Sequence, residues 1–559
     1  MQSSTASYTQ GDTAQSLLKM TLGDALDHTV ALYPDNPALI APAQNIRYNY
    51  REFQAKVNLV ARAFIAIGVT KGERVGIWAP NCEQWVVTQF ATAKMGAILV
   101  NVNPAYQEYE LEYALKHSGV SCLVMAEKFK SSDYCQTLMK IVPELSDSAV
   151  GHLKSVKLPL LRRVINLSKH DFKGMQRWDD FCELAVDVTQ SQLDVIQRQL
   201  DYNDAINIQY TSGTTGSPKG VTLSHFNILN NGYFVAKNMN FSHLDRLIIP
   251  VPLYHCFGMV MGNIGCVSHG ATMIYPSASF DAQTVLQCVE AEKATALYSV
   301  PTMFIAMLAL ENFNDYDLSS LRTGIMAGSI CPAQLMKAVN TKMHMGELQI
   351  AYGMTETSPV SAQTAADDPF DKKVSTVGRT LAHIETKIVD VVSGGTVPRN
   401  ETGELCTRGY SVMLGYWQNE AASKEIIETN GWLHSGDLAR MDEEGYIQIV
   451  GRIKDMVIRS GENIYPKEIE DFLYTHPAIS DAQVTGIPDE LRGEELVAWI
   501  ILRPDAAPMT AEQLREFCRG KISHFKIPRY IKFVDRYPLT VTGKVQKFKI
   551  REMAIEEFT

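Results

Sequence analysis

Tyr210-Thr-Ser-Gly-Thr-Thr-Gly-Ser-Pro-Lys-Gly220 follows Ala205-Ile-Asn-Ile-Gln209, where Ile206, Ile208 and Tyr210 alternate as a half-buried strand does. Glycines let successive backbone N–H groups converge on an anion. Ser and Thr hydroxyls add donors, and Lys219 adds a mobile positive charge. A strand running into such a loop is equipped to hold a polyphosphate. The pattern is not that of an ordinary P-loop, because Pro218 stands where that motif needs glycine after Gly213.

On either side of this stretch, strand and helix alternate. A helix is expected over Arg51–Ala66, with Asn49 and Glu52 at capping-box spacing and Phe53, Val57, Val60 and Phe64 on one face. Strands at Arg74–Trp78, Ala97–Val102 and Cys122–Met125 alternate with helices through Trp85–Met95 and Glu108–Lys116. Beyond the loop the rhythm resumes. Ile248–Gly258 is a strand breaking into a turn, an apolar helix passes Met259, Gly262 and Gly265, and buried strands lie at Ala271–Tyr275 and Ala296–Val300. This rhythm predicts α/β architecture with doubly wound parallel sheets in two subdomains. From Val374 short alternating strands and glycine turns predict a β-barrel-like subdomain. The last 105 or so residues alternate as a small α+β domain. Residues 1 to about 20 are expected to be a loose arm.

At 559 residues the chain exceeds one core. A net charge of −10 argues against a nucleic-acid partner. No apolar run is long enough for a transmembrane helix, and the polar N-terminus has neither secretory nor transit character. Ten cysteines without a C-x-x-C pair fit reduced thiols, so the expected compartment is the cytoplasm.

Five motifs then fall in one order: Tyr210–Gly220, Tyr352-Gly-Met-Thr-Glu-Thr357, Gly431-Trp-Leu-His-Ser-Gly-Asp437, Gly451-Arg-Ile-Lys-Asp455 and Pro538-Leu-Thr-Val-Thr-Gly-Lys544. In this order they resemble the AMP-forming adenylating (ANL) superfamily. Pro252–Gly258 and Gly461–Pro466 look most like its medium- to long-chain fatty acyl-CoA synthetases of the acyl-CoA synthetase family member 2 type. The resemblance implies a large ATP- and acyl-binding domain over 1–453 and a small mobile domain over 454–559 that carries the catalytic lysine. It also implies a two-step reaction. A carboxylate attacks the α-phosphorus of ATP, giving acyl-AMP and pyrophosphate, and the thiol of coenzyme A then displaces AMP.

The family's roles transfer to matching positions. Thr211, Ser212, Gly213, Thr214, Thr215, Gly216 and Lys219 would hold the β- and γ-phosphates. Glu356 would ligate magnesium and Thr355 would contact the α-phosphate. Tyr352 and Gly353, with Gly328 and Ser329, would flank adenine, and Asp437 and Arg452 would contact the ribose. Lys544 would reach the reacting carboxylate and α-phosphate. Coenzyme A would meet Ser460, Gly461, Glu462 and Lys526, and Lys454 would be the hinge. The acyl tunnel would draw on His255, Phe257, Gly258, Met259, Gly262, Tyr298, Met303 and Met326, with the glycines leaving room for an alkyl chain. Implied partners are a fatty acid, ATP and coenzyme A. Peripheral membrane contact and a homodimer stay open. An acyl-AMP ligase or a carrier-protein-loading enzyme shares every ATP motif and differs only in its acceptor. A luciferase-like oxygenase and a non-catalytic nucleotide-binding protein are further alternatives.

Overall fold

The computed structural model describes residues 5–211, 218–328, 331–459, 462–539 and 545–558, the side chains of 462 and 463 excepted. The chain forms two compact units. One comprises Gln10–Glu385 and Thr407–Leu433; the other comprises Met1–Thr9, Thr386–Cys406 and His434–Thr559.

The larger unit is built on two sheets. In the first, Arg163–Asn166, Val120–Met125, Arg74–Trp78, Ile98–Asn101 and Ala205–Thr211 lie side by side and parallel. Lys219–Ser224 then adds antiparallel, followed by Gly415–Tyr416. In the second, the parallel centre is Glu347–Gly353, Thr323–Met326, Ala296–Ser299, Arg246–Ile248, Thr272–Ile274 and Pro37–Ala41, with antiparallel strands at both edges. Most predicted strands are found within a few residues of their expected limits, but the one expected to begin at Ile248 instead ends there, as Arg246–Ile248, because Pro250 and Pro252 cannot donate to a ladder and residues 249–255 form no strand. The predicted capping box closes as expected: Asn49 Oδ1 accepts from Glu52 N at 2.8 Å and Glu52 Oε2 accepts from Asn49 N at 2.9 Å, opening a helix over Tyr50–Ala66.

Two expectations change. The arm is tied down. In the smaller unit, Arg399 Nη2 donates to the Tyr8 carbonyl at 2.8 Å. In the larger unit, the Asn230 side chain pairs both polar groups of the Leu18 backbone, accepting from N at 2.7 Å and donating to O at 3.0 Å. A buried amide thus supplies the partners a lone backbone segment lacks. Second, the apolar segment after Gly258 is a π-helix, Phe257–Ile264, running into an α-helix at Gly265–His269.

The smaller unit contains Val457–Arg459, Gly493–Leu502, Ile479–Asp489 and Tyr530–Phe533 in one sheet. Helices at Pro466–Leu473 and Ala511–Cys518 contribute Ile469, Leu473 and Leu514 to its core. Arg459 and Glu495, both buried, are paired at 2.9 Å. A five-stranded sheet follows the order Tyr8–Gln10, Ile384–Val389, Gly403–Gly409, Leu433–Met441, Ile447–Arg452. Among the described residues no helix is long and apolar enough to cross a membrane.

His225 opens the helix His225–Asn238 and is fully buried, with Nδ1 accepting from Leu22 N at 3.1 Å. Burial holds its pKa down at about 4, against the partial pull of Asp204 and Asp24. A depressed imidazole stabilises the fold above its unfolded pKa of ~6.5, and that stability is lost as pH falls toward 4. The loss should reach about 2 kcal/mol by pH 5. His269, also held down at about 4 by burial, adds its own share. The difference in urea midpoint between pH 7 and pH 5 should therefore shrink, without vanishing, in His225→Gln.

Candidate active site

The larger unit presents the arms of the predicted phosphate loop as an antiparallel pair in which Thr211 faces Lys219 and Tyr210 faces Gly220. Residues 212–217, which include Ser212, Gly213, Thr214, Thr215 and Gly216, lie outside the described residues. Both arms are fixed to the helix Glu108–Ser118. Tyr210 Oη donates to the Ala114 carbonyl at 3.2 Å and lies 2.9 Å from His117 Nδ1, and Tyr113 Oη donates to the Pro218 carbonyl at 3.1 Å. Nothing in the loop motif announces these braces, which come from a helix about 100 residues earlier in the chain.

Tyr416 then joins two of the predicted residues. Its strand pairs beside Lys219–Ser224, with Val221 facing Tyr416. Lys219 Nζ sits 4.9 Å from the centre of the Tyr416 ring, a cation–π distance. The Tyr416 hydroxyl donates to Glu356 Oε1 at 2.9 Å. Glu356 is 6% exposed. Burial, and then the Glu356 charge, push the Tyr416 hydroxyl pKa well up, so it stays a donor. Glu356 lies in a single 3-10 turn, Thr355–Thr357, that follows the strand Glu347–Gly353. Thr357 Oγ1 closes this turn by donating to the Met354 and Pro359 carbonyls at 3.0 and 2.7 Å. Gly353 is required here, since a Cβ would meet the Pro359 carbonyl at 1.7 Å. Tyr352 and Thr355 are half-buried on either side of it. Gly328 has φ +90°, and Ser329 lies outside the described residues.

His255, Phe257, Met259 and Tyr298 lie at or beside the π-helix and Met303 packs against the same core, whereas Met326 packs in a separate core with Ile248, Leu297 and Phe304. The Phe257 and Tyr298 rings lie 5.3 Å apart, and Tyr298 Oη donates to the Met239 thioether at 3.2 Å. Met259, Tyr298 and Met326 are fully buried, while His255, Phe257 and Met303 are half-buried. Met259 Sδ accepts from two buried amides, Asn101 Nδ2 at 3.1 Å and Gln209 Nε2 at 3.2 Å. The space beside the glycines is occupied. A Cβ on Gly258 would meet the Pro252 carbonyl at 2.5 Å, and one on Gly262 would meet Ile249 Cδ1 at 2.9 Å. These glycines bring the helix close to its neighbours.

In the smaller unit, Asp437 and Arg452 face each other across a strand pair, with Arg452 Nε 3.1 Å from Asp437 Oδ1. The backbone before Asp437, within the strand Leu433–Met441, is held by its neighbours. Ser435 Oγ accepts from Asp437 N at 3.0 Å and donates to the Leu405 carbonyl at 2.6 Å, and Glu404 Oε1 accepts from Gly436 N at 3.0 Å. Gly436 has φ +71°, which favours glycine. Lys454 lies in the 3-10 turn Ile453–Asp455, directly after the strand bearing Arg452. Lys526 Nζ is 2.6 Å from Glu468 Oε1, at a cavity of about 200 Å³ that Lys521 and Ser523 also line. Ser460, Gly461 and Lys544 lie outside the described residues, as does the Glu462 side chain. The chain on either side of 540–544 is pinned: Gln546 N donates to the Pro538 carbonyl at 2.8 Å, and Leu539 bridges Val545.

Two family models match the chain: "AMP-binding enzyme" over residues 26–417 and "AMP-binding enzyme C-terminal domain" over residues 468–544. A putative acyl-CoA synthetase, YngI of Bacillus subtilis, is 49% identical over 97% of this chain and 98% of its own length. The mitochondrial medium-chain acyl-CoA ligase ACSF2 of Bos taurus is 45% identical over 98% of this chain and 89% of its own. Among solved structures, the anthranilate CoA ligase AuaEII in complex with anthranoyl-AMP superposes with a TM-score of 0.82. It is 28% identical and covers 97% of this chain and 98% of that one.

Proposed function

We propose, from the premise that this chain belongs to the family of AMP-binding enzymes, that it is an AMP-forming acyl-CoA ligase acting on medium- to long-chain fatty acids. It activates a carboxylic acid with ATP to acyl-AMP and pyrophosphate, then transfers the acyl group to the thiol of coenzyme A and releases AMP. The observation that carries this reading is the Lys219–Tyr416–Glu356 arrangement, in which one tyrosine holds a loop lysine against its ring and a buried carboxylate on its hydroxyl.

Each role follows from that chemistry. Thr211 and Lys219, with Ser212, Thr214 and Thr215, grip the β- and γ-phosphates, where charge builds as pyrophosphate departs. Glu356 offers the hard oxygen donor that magnesium requires, and magnesium there would neutralise the triphosphate. Tyr352 offers adenine a flat face. Asp437 accepts from the ribose hydroxyls, its carboxylate oriented by Arg452. Lys544 brings a point charge to the carboxylate and α-phosphate as they react. Met259, Phe257, Tyr298 and Met303, which share one core, wall the acyl group, and His255 is assigned to its carboxylate end. Ser460, Gly461, Glu462 and Lys526 receive coenzyme A. ACSF2 is called a medium-chain ligase and shares 45% of its residues with this chain, which supports a medium-chain preference. Ten free cysteines support residence in a reducing compartment, as in the cytoplasm.

The experiment is a panel of C2–C18 and aromatic acids scored by AMP release with coenzyme A. A maximum among medium-chain fatty acids supports the reading. AMP release that needs a carrier protein instead of coenzyme A would overturn it.

The domain of residues 454–559 turns about Lys454 between the two half-reactions. Its short 3-10 turn after Arg452 suits a position where backbone dihedrals change. Lys454→Pro fixes φ near −65°. It should leave fatty acid-dependent ATP–pyrophosphate exchange within about twofold of wild type and cut thioester formation by at least ~100-fold. Equal losses in both assays would count against the hinge.

A further inference from the structure

Glu404 and Cys406 stand two residues apart on the strand Gly403–Gly409, and so point to one face of the sheet. His434 stands on the neighbouring strand, Leu433–Met441. His434 Nδ1 lies 2.8 Å from Glu404 Oε2 and 3.5 Å from Cys406 Sγ, and the three ligand atoms all fall within 4.8 Å of one another. Among the described residues this is the one group of three or more His, Cys, Asp or Glu side chains so close together. None of the three is assigned a contact with substrate above, although Glu404 holds the Gly436 backbone beside Asp437.

We propose that Glu404, Cys406 and His434 form a binding site for a borderline-soft divalent cation of the zinc class, through which that cation inhibits the ligase. A tetrahedral ion with Zn–N of ~2.0–2.1 Å and Zn–S of ~2.3 Å sets its nitrogen and sulfur ligands about 3.5 Å apart. That is the separation between His434 Nδ1 and Cys406 Sγ. The Glu404–His434 pair opens from a hydrogen bond to a ligand edge of about 3.4 Å. Hydrolytic chemistry does not fit the trio. In a Cys–His–acid triad the thiol and the carboxylate meet opposite ring nitrogens, and here both meet Nδ1. Thiolate and imidazole also discriminate against magnesium, which takes oxygen ligands, so this site is chemically distinct from Glu356.

The protons balance. The Cys406 thiol loses its proton to solvent. The ring proton on Nδ1, shared with Glu404, leaves, and Nε2 takes one up, so the imidazole stays neutral. One proton is released for each ion bound, and a water completes the fourth position. His434 is 30% exposed, which gives the ion a way in.

Occupancy reaches the strand segment that presents Asp437. The second oxygen of Glu404 accepts from Gly436 N at 3.0 Å, one residue before Asp437. An ion that draws Glu404 and His434 onto itself therefore strains the hydrogen bonds that aim the Asp437 carboxylate. This consequence rests on the ribose-binding role proposed for Asp437, while the binding of the ion does not.

The test titrates the full chain with Co²⁺ alone. One equivalent should give a sulfur-to-cobalt charge-transfer absorption that Zn²⁺ displaces. Cys406→Ser should abolish the absorption, and Glu404→Gln and His434→Asn should each weaken binding at least about tenfold. With Mg–ATP saturating, Zn²⁺ should inhibit the wild-type ligase, and Cys406→Ser should keep its basal activity and lose that sensitivity. A charge-transfer band that persists in Cys406→Ser, or no stoichiometric cobalt binding, overturns the site. A lost band with zinc inhibition unchanged supports the site and overturns its link to Asp437.

Discussion

Replacing Lys544 by alanine is expected to lower fatty acid-dependent ATP–pyrophosphate exchange by about 10²–10³-fold, the cost of removing one preorganised charge from a developing oxyanion. The effect should fall on adenylation alone. When acyl-AMP is supplied ready-made, Lys544→Ala should release AMP to coenzyme A at a rate close to wild type, because the charge on the α-phosphate is by then already in place. The flanks keep the variant interpretable. Gln546 N and the Leu539–Val545 bridge hold the chain on either side of 540–544 through backbone groups that the substitution leaves intact. Exchange that survives in Lys544→Ala, or an equal loss in both half-reactions, would remove the lysine from the chemistry.

Glu356→Gln is expected to cut overall turnover by at least ~100-fold and to raise the magnesium concentration needed for half-maximal exchange. The substitution keeps shape and keeps an acceptor for the Tyr416 hydroxyl, so the fold is retained while the charge is lost. Tyr416→Phe gives the complementary case. Glu356 keeps its charge and loses one hydrogen bond, so the loss should stay near tenfold and be partly recovered at high magnesium. If Glu356→Gln left the magnesium dependence of exchange unchanged, the carboxylate would have to be reassigned to holding Tyr416 in place.

What could be read in advance divides along a physical line. Features set by local sequence were legible: the Asn49–Glu52 capping box and the alternating strand before Tyr210. The five motifs carried the resemblance that implied most of the nucleotide-site candidates, and chemistry narrows which of their side chains can hold a triphosphate. The supports of the site were not legible, because each is a contact between distant segments. Tyr416 meets Glu356 across 60 residues, and the Glu404 carboxylate caps Gly436 across 32. The π-helix has no signal of its own in the sequence. Asn263 is the one polar side chain among Phe257–Ile264, so no periodicity distinguishes it from an α-helix. The arm at residues 5–20 looked loose because its partners, Arg399 and Asn230, lie more than 200 residues away.

The two amides on the Met259 thioether bear on redesign of substrate range. Asn101 Nδ2 divides its hydrogens between the Tyr254 carbonyl and Met259 Sδ, and Gln209 Nε2 divides its own between Asn207 Oδ1 and the same sulfur. Carving a longer acyl chamber by trimming Met259 would strand two buried N–H groups, at roughly 1–3 kcal/mol each. With Met259 in the acyl wall as proposed, chain-length engineering there is coupled to folding. A library that varies Met259 alone would enrich for unchanged methionine, whereas one that varies Asn101, Gln209 and Met259 together can replace polar and sulfur atoms as a set.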